Sequence, residues 1–300
     1  QVLTGGRRGF VLKAGRPDVL RLWTIEPQVQ IDARFRGLPK KRIDFLLTPV
    51  GRSGSRPVVI EMDGLEYHAR TVAEDLLTRI LMIRSGQVRV WTLSWRDMDP
   101  EDRTSLNPLT ESGLGADKIG HLARVLAHKD FAHLADAVRN LQSDTPLAAL
   151  RRVLDGEEDE DAATRSILIR ALVAKGRPLD QLPRSVALSA ESRGFLLIPE
   201  LAEHVGSGVI DLYLACRKIS PNEWPQSDKD LRLLLRAALP DPGQAPSAKL
   251  AYSEAWRGLW RLVNLFQEVR GLHVELDGLD TLSPPDMTDV SEQRQGAWDE

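Results

Sequence analysis

The chain contains a single cysteine, Cys216, among its 300 residues. One thiol excludes an internal disulfide framework and a cysteine-rich zinc site, and it suits a reducing, cytosolic setting. No apolar run approaches the roughly 18 residues of a membrane span, and no charged-then-apolar leader opens the chain. We therefore expect a cytoplasmic protein that has no membrane partner.

Other compositional extremes are also missing. The apolar fraction of 42% and the charged fraction of 28% are close to the globular average, which excludes collagen-like, coiled-coil and wholly disordered chains. The length predicts about two domains. Because the first residue is Gln1 and not Met, we expect the chain to be a piece of a longer protein.

Charge is distributed unevenly along the chain. Residues 1–42 hold ten Lys or Arg and three acidic residues, whereas the whole chain has a net charge of −3. A basic segment beside an acidic cluster suits a metal-dependent phosphodiesterase, because the bases hold phosphates and the acids hold the metal. The alternative is a solvated basic face without a ligand.

Hydrophobic periodicity predicts an α/β domain over residues 1–110. We predict strands at 29–35, 42–48, 58–62 and 88–93, and helices at 18–25 and 71–86. The second helix has a predicted capping box formed by Thr71 and Glu74 and a predicted C-terminal stop at Gly86. The run Val58-Val59-Ile60 predicts a strand that is buried on both faces.

The second half predicts a mainly α-helical domain over residues 116–278, followed by a disordered tail at 279–300. We detect no internal repeat. Tryptophans in both halves are interpreted as core residues: Trp91, Trp95, Trp256 and Trp260. The predicted elements are helices at 118–141, 147–154, 162–174 and 247–267, and a strand at 209–216.

Three acids lie on the predicted central strands. Glu61 and Asp63 are two residues apart, so they share one face of their strand, and Asp44 on a neighbouring strand can meet them. Carboxylates this close repel one another unless a cation or proton intervenes. Hard oxygen donors favour Mg²⁺ or Mn²⁺. We predict a metal site formed by Asp44, Glu61 and Asp63, with the carbonyl of Met62.

His68 follows the acids by five residues. An imidazole titrates near neutrality and can deprotonate an attacking water, so His68 is the predicted general base. The alternative is a structural histidine without a catalytic role.

Short motifs follow one another in a specific order from Pro27 to Trp95. They are Gln28-Val29, Ile43-Asp44-Phe45, Glu61-x-Asp63-Gly64-x-x-x-His68, Asp75-x-x-x-Arg79, Gly86 and Val88-x-Val90-Trp91. This stretch resembles the PD-(D/E)XK nuclease superfamily and, within it, the very-short-patch-repair-like endonucleases. The resemblance implies a restriction-endonuclease-like fold, with a mixed central sheet flanked by helices. It also implies metal-dependent hydrolysis of DNA.

The resemblance assigns roles to individual residues. Asp44 would be the shared metal ligand, and Glu61 would take the acidic place of the (D/E)xK motif. Asp63 falls where the superfamily usually has Lys, and His68 falls where the very-short-patch-repair enzymes have a catalytic histidine, so His68 is expected to replace that Lys. The zinc-binding cysteines of those enzymes have no counterpart here.

The resemblance also places DNA contacts along the domain. Gln28 matches a recurrent glutamine, and the helix before Gly86 aligns with a DNA-facing helix. Asp75 and Arg79 have a second interpretation as a surface ion pair at i,i+4. The predicted DNA-binding residues are Gln28, Lys40, Lys41, Arg42, Arg70, Arg79 and Arg84.

A second resemblance concerns residues 253–266, Ser-Glu-Ala-Trp-Arg-Gly-Leu-Trp-Arg-Leu-Val-Asn-Leu-Phe. This segment is similar to the C-terminal region of large DEAD/DEAH-box helicases of bacterial phage-defence systems. It implies an upstream helicase region, or other defence-system subunits, as partners. The chain itself has no phosphate-binding loop. Two alternatives to a nuclease stay open: a catalytically inactive DNA-binding module that serves an attached helicase, and a protein–protein interaction platform.

Overall fold

The computed structural model describes a subset of the 300 residues. The described residues are 8–16, 19–51, 55–63, 71–98, 124, 145–156, 177–178, 201–206, 210–216, 232–237, 246–269 and 272–276. The predicted helix at 162–174 and the predicted tail at 279–300 lie outside them, as does the predicted helix at 118–141 except for Arg124.

A mixed five-stranded sheet forms the first half of the protein. Its strands follow chain order, and all neighbours are antiparallel except the last pair, which is parallel. Helix α1 (Val72–Ser85) connects that parallel pair, and a 3-10 turn (Trp95–Met98) follows the sheet. The α/β class expected for this half is confirmed. The strands are β1 (Phe10–Arg16), β2 (Val19–Gln30), β3 (Arg42–Pro49), β4 (Val58–Asp63) and β5 (Arg89–Ser94).

Strand β2 replaces two predicted elements. The helix predicted at 18–25 is wrong, because β2 pairs with β1 on one side and with β3 on the other, and these ladders satisfy the backbone of the segment. The strand predicted at 29–35 ends at Gln30. A turn follows, in which the amides of Arg34 and Phe35 donate to the carbonyl of the buried Ile31.

Helix α1 begins and ends close to the predicted positions. Gly86 has a φ of 61° and its N–H donates to the carbonyl of Ile83, as expected of a left-handed C-terminal residue. The predicted capping box is wrong, since no side chain caps the helix. Instead, the Thr71 hydroxyl donates to the carboxylate of Asp75 at 2.9 Å.

The first sheet is buried on both faces, as its central apolar run predicts. On one face, helix α2 (Pro146–Asp155) packs against Trp23 and Trp91. The indole N–H groups of these tryptophans donate to the carbonyls of Leu154 and Pro146, each at 3.0 Å. On the other face, Met82 of α1 contributes to a separate apolar cluster. The helix predicted at 147–154 is confirmed as α2.

A second five-stranded sheet has the order β10-β9-β8-β7-β6. Its consecutive strands are antiparallel except β9 and β10, which are parallel and are connected by α3 (Pro246–Phe266). Strand order, pairing sense and helix position therefore repeat those of the first sheet. The strands are β6 (Arg177–Pro178), β7 (Leu201–Gly206), β8 (Ile210–Cys216), β9 (Arg232–Ala237) and β10 (Leu272–Leu276).

The described residues of 116–278 thus comprise helices α2 and α3, strands β6 to β10 and a single helical position at Arg124. The predicted strand at 209–216 and the predicted helix at 247–267 are confirmed as β8 and α3. None of the helices in the described ranges is long and apolar enough to span a membrane.

Helix α3 covers the open edge of β5. The side-chain amide of Asn264 accepts from the N–H of Thr92 at 3.0 Å and donates to its carbonyl at 2.8 Å. The side chain of Gln267 accepts from the N–H of Val90 at 2.9 Å. These amides replace the hydrogen bonds of a neighbouring strand and protect an edge that would otherwise pair with another chain.

Charged groups fix α3 along the same edge. Glu268 accepts from Arg56 and Arg89, and Asp97 accepts from Arg257 and Arg261. Both α2 and α3 therefore pack on the first sheet, although the predicted boundary at residue 110 assigns them to a separate domain.

We predict that Asn264→Leu lowers the free energy of unfolding by about 2 kcal/mol or more, because it leaves the buried N–H and C=O of Thr92 without partners. Urea denaturation followed by circular dichroism measures the change. Glu74→Ala, at an exposed position of α1, is the control and should stay within about 0.5 kcal/mol of the wild type. Equal stability of Asn264→Leu and the wild type would contradict this role of the amide.

Candidate functional site

Two carboxylates from neighbouring strands come together on the α1 side of the first sheet. Phe45 of β3 pairs with Ile60 of β4, so Asp44 and Glu61 are the next residues along their strands beyond this pair. The Asp44 carboxylate accepts from the Met62 N–H at 2.7 Å and thereby takes the place of a backbone partner. The negative charge of Asp44 also acts on the carboxyl of Glu61.

Gln28 of β2 completes this group. Its side-chain amide donates to Asp44 Oδ1 at 3.2 Å. The backbone of Gln28 has a φ of 54°, which is uncommon for a residue with a side chain. Pro27 and Val29 on either side pair normally with Phe45 and Ile43, so the ladder holds the strained residue in place. Backbone strain of this kind clusters at functional sites.

Glu61 is almost fully buried, with 4% of its side chain exposed. Burial raises the pKa of its carboxyl above the ordinary glutamate value, and the positive charges of Arg79 and Lys41 only partly oppose the effect. The Glu61 Oε1 atom has no hydrogen-bond partner. Lys41 Nζ lies 3.3 Å from it, at ion-pair distance, and 3.0 Å from Asp75 Oδ1.

Asp63 belongs to a different cluster. The guanidinium of Arg79 donates to both of its oxygens, at 2.7 and 2.5 Å, and the indole N–H of Trp256 donates at 2.8 Å. The ring of Trp260 lies 4.5 Å from the Arg79 Cζ atom. The guanidinium neutralises Asp63 in the core, whereas the hydrogen bonds to Asp44 come from neutral amides, so we take Asp44 and Glu61 as the carboxylates of the candidate site.

Arg79 is fully buried, which is incompatible with its predicted contact with DNA. Its partner is Asp63, and the i,i+4 residue Asp75 binds Lys41 and Thr71 instead. Arg79 therefore does not form the surface ion pair with Asp75 that the i,i+4 spacing suggests.

The other residues that we predicted to contact DNA differ in their exposure. Lys40 and Arg42 are exposed beside the candidate site, and Arg84 is half-buried in the last turn of α1. His68, the predicted general base, and Arg70 lie outside the described residues.

The donor set suits a magnesium-like ion with few protein ligands. Mg²⁺ is commonly bound by one or two carboxylates together with waters and substrate phosphates, which matches Asp44 and Glu61. The Glu61 Oε1 atom contacts the ammonium of Lys41 at 3.3 Å, without a well-directed hydrogen bond. Across the described ranges, no group of three or more His, Cys, Asp or Glu side chains is placed to hold a metal.

The second sheet has a different pair at the equivalent position. Its β8–β9 register places Asp211 opposite Arg236, where the first sheet has Asp44 and Glu61. One of the two acids is thus replaced by a base, and the repeated topology does not repeat the acid pair.

Comparison of the chain with protein-family models, curated proteins and solved structures finds no match. The interpretation of the site therefore depends on its geometry and on the motifs of the sequence. That geometry places Asp75 beside Lys41, where the sequence pattern pairs Asp75 with Arg79. It also places Trp256 beside Asp63, where the sequence pattern indicates only a core residue for Trp256.

We predict that Arg79→Met lowers the free energy of unfolding by about 3–5 kcal/mol, because it leaves the buried charge of Asp63 without its counter-ion. The double variant Asp63→Leu/Arg79→Met should lose less than the sum of the two single variants. Urea denaturation of the four proteins of the cycle measures the coupling. Additive losses would show that the two side chains do not act as a pair.

A second prediction concerns the pH dependence of stability. The folded-state pKa of Glu61 is raised, so its favourable contribution is complete at low pH. That contribution is lost as the pH rises from the ordinary glutamate pKa through the raised value. Glu61→Gln removes this loss, and we expect its stability relative to the wild type to increase through that pH window.

Urea midpoints of both proteins at a series of pH values test this expectation. The exposed Glu74→Gln is the control and should show a difference from the wild type that does not change with pH. A constant difference for Glu61→Gln as well would show that folding does not perturb the titration of Glu61.

Proposed function

We propose that this protein hydrolyses DNA phosphodiester bonds in a Mg²⁺- or Mn²⁺-dependent reaction at Asp44 and Glu61. The observation that carries the proposal is the buried Glu61 carboxyl, which lies within reach of the Asp44 charge at the end of the β3–β4 pairing. The motif resemblance to PD-(D/E)XK nucleases supports DNA as the substrate. We also propose that the first sheet has a restriction-endonuclease-like fold.

The residues of the chain have separate parts in this reaction. Asp44 and Glu61 would hold the metal ion, together with the backbone carbonyl of Met62. When bound, the ion lowers the pKa of a coordinated water and neutralises phosphate charge. Gln28 and the Met62 N–H fix the Asp44 carboxylate in one orientation, which is the preorganisation that such a site needs.

Hydrolysis joins the water oxygen to phosphorus and breaks one P–O ester bond. The proton of the water passes to a base, and the leaving oxygen takes up a proton. We propose His68 as the base, because its sequence position matches the catalytic histidine of the very-short-patch-repair enzymes.

We also propose that the chain is part of a cytoplasmic, helicase-linked anti-phage defence protein, with an upstream helicase region or other defence subunits as partners. The resemblance of residues 253–266 supports this proposal. In the fold, the same residues form the part of α3 that buries Trp256, Trp260 and Val263 against the first sheet. Co-purification of the helicase region with residues 1–300 would test it.

A second candidate function is a nuclease-fold module that binds DNA without cleaving it. Asp63 favours this candidate. It occupies the position at which PD-(D/E)XK nucleases usually have the motif Lys, and its carboxylate is bonded to Arg79. DNA binding by the wild type without any metal-dependent cleavage would select the second candidate.

We predict that Glu61→Ala abolishes Mg²⁺- or Mn²⁺-dependent cleavage of linear and nicked DNA. DNA affinity should be unchanged or higher, because a negative charge is removed near the phosphates. Gel assays of cleavage and fluorescence anisotropy of binding measure the two effects on the full chain. Glu74→Ala on the exposed surface of α1 is the matched control, and an equal loss of cleavage and binding by Glu61→Ala would make Glu61 a structural residue.

A further inference from the structure

We propose that Lys41 contacts the phosphate group that is cleaved, and that Asp75 is the positioning residue that holds Lys41 there. This inference rests on the proposed function, because it concerns the same site. It depends on the position of Lys41 Nζ between two carboxylates, 3.3 Å from Glu61 Oε1 and 3.0 Å from Asp75 Oδ1.

Lys41 is more accessible than its partner Glu61. Its side chain is 19% exposed, compared with 4% for Glu61, so a phosphate from solvent can reach the lysine more easily than the carboxyl. An ammonium has three N–H donors, and Lys41 Nζ donates one hydrogen bond to Asp75 and forms an ion pair with Glu61. At least one donor therefore remains for a phosphate oxygen.

Among the described residues, Lys41 is the cation within ion-pair distance of Glu61. Arg79 also acts on Glu61 through its charge, but its guanidinium is buried and bonded to Asp63. Lys41 is consequently the cation that combines contact with the acid pair and access to solvent.

Asp75 is itself fixed at the start of α1. Its N–H donates to the Thr71 carbonyl at 2.8 Å, and its Oδ2 accepts from the Thr71 hydroxyl at 2.9 Å. The other oxygen, Oδ1, accepts from Lys41 Nζ. The first turn of the helix thus holds the lysine side chain, which is flexible by nature, in one position over Glu61.

The rival interpretation is a counter-ion role, in which Lys41 only keeps Glu61 ionised. The two roles differ in whether Lys41 contacts DNA. A counter-ion of Glu61 makes no phosphate contact, so its loss leaves the salt dependence of DNA affinity unchanged. Loss of a phosphate contact lowers that salt dependence.

The experiment measures kcat/KM for Mn²⁺-dependent cleavage of a short DNA duplex from pH 6 to 9. We expect Lys41→Met to lose at least about 100-fold at every pH. Lys41→Arg should recover part of the loss because it keeps the charge, and Asp75→Asn should lose about tenfold. Arg151→Gln is the control, since its side chain is 82% exposed on α2, which covers the opposite face of the sheet.

A second measurement does not require cleavage. The salt dependence of DNA affinity without metal reports the number of phosphate contacts, and one lost contact lowers the slope of log K against log salt by about 0.9. We expect this change for Lys41→Met and no change for Arg151→Gln.

The outcomes separate the two proposals. An unchanged slope overturns the phosphate contact and leaves the proposed nuclease function intact. A reduced slope with a wild type that never cleaves supports a contact between Lys41 and a DNA phosphate, but it overturns the nuclease function and the assignment of that phosphate as the one that is cleaved.

Discussion

The buried ion pair between Asp63 and Arg79 joins the elements that surround the candidate site. Asp63 belongs to β4 and Arg79 to α1, while Trp256 of α3 donates to the same carboxylate. Removal of one charge from such a pair leaves the other uncompensated in the core, at a cost of about 3–5 kcal/mol. The pair therefore holds α1 and α3 against the sheet. It also fixes the position of Glu61, which lies two residues before Asp63 on β4.

The candidate site has the opposite electrostatic character. Glu61 is buried beside Asp44, and burial together with the like charge raises its pKa. Folding thus brings two acids together in an arrangement that is unfavourable in itself, with Lys41 as partial compensation. Such an arrangement is typical of functional sites, where perturbed pKa values accompany geometry suited to a ligand.

Local patterns were sufficient for several elements and misleading for others. The positions of β3, β4 and α1 follow from periodicity, and Gly86 ends α1 as its conformational freedom predicts. The helix expected at 18–25 was wrong because pairing with strands on both sides outweighs a local helical pattern. The repeated topology of the two sheets has no counterpart in a sequence repeat. The two halves share strand order and pairing sense, but the β8–β9 register pairs Asp211 with Arg236 and not with an acid.

The sequence alone determined that Asp44 and Glu61 would meet, because adjacent strands with a two-residue period place them on one face. Only the tertiary structure decided the partners of the remaining charges. Lys41 reaches Asp75 across 34 positions of the chain, and Trp256 reaches Asp63 across 193. Contacts between such distant residues depend on how the helices dock on the finished sheet, and local periodicity contains no information about that docking.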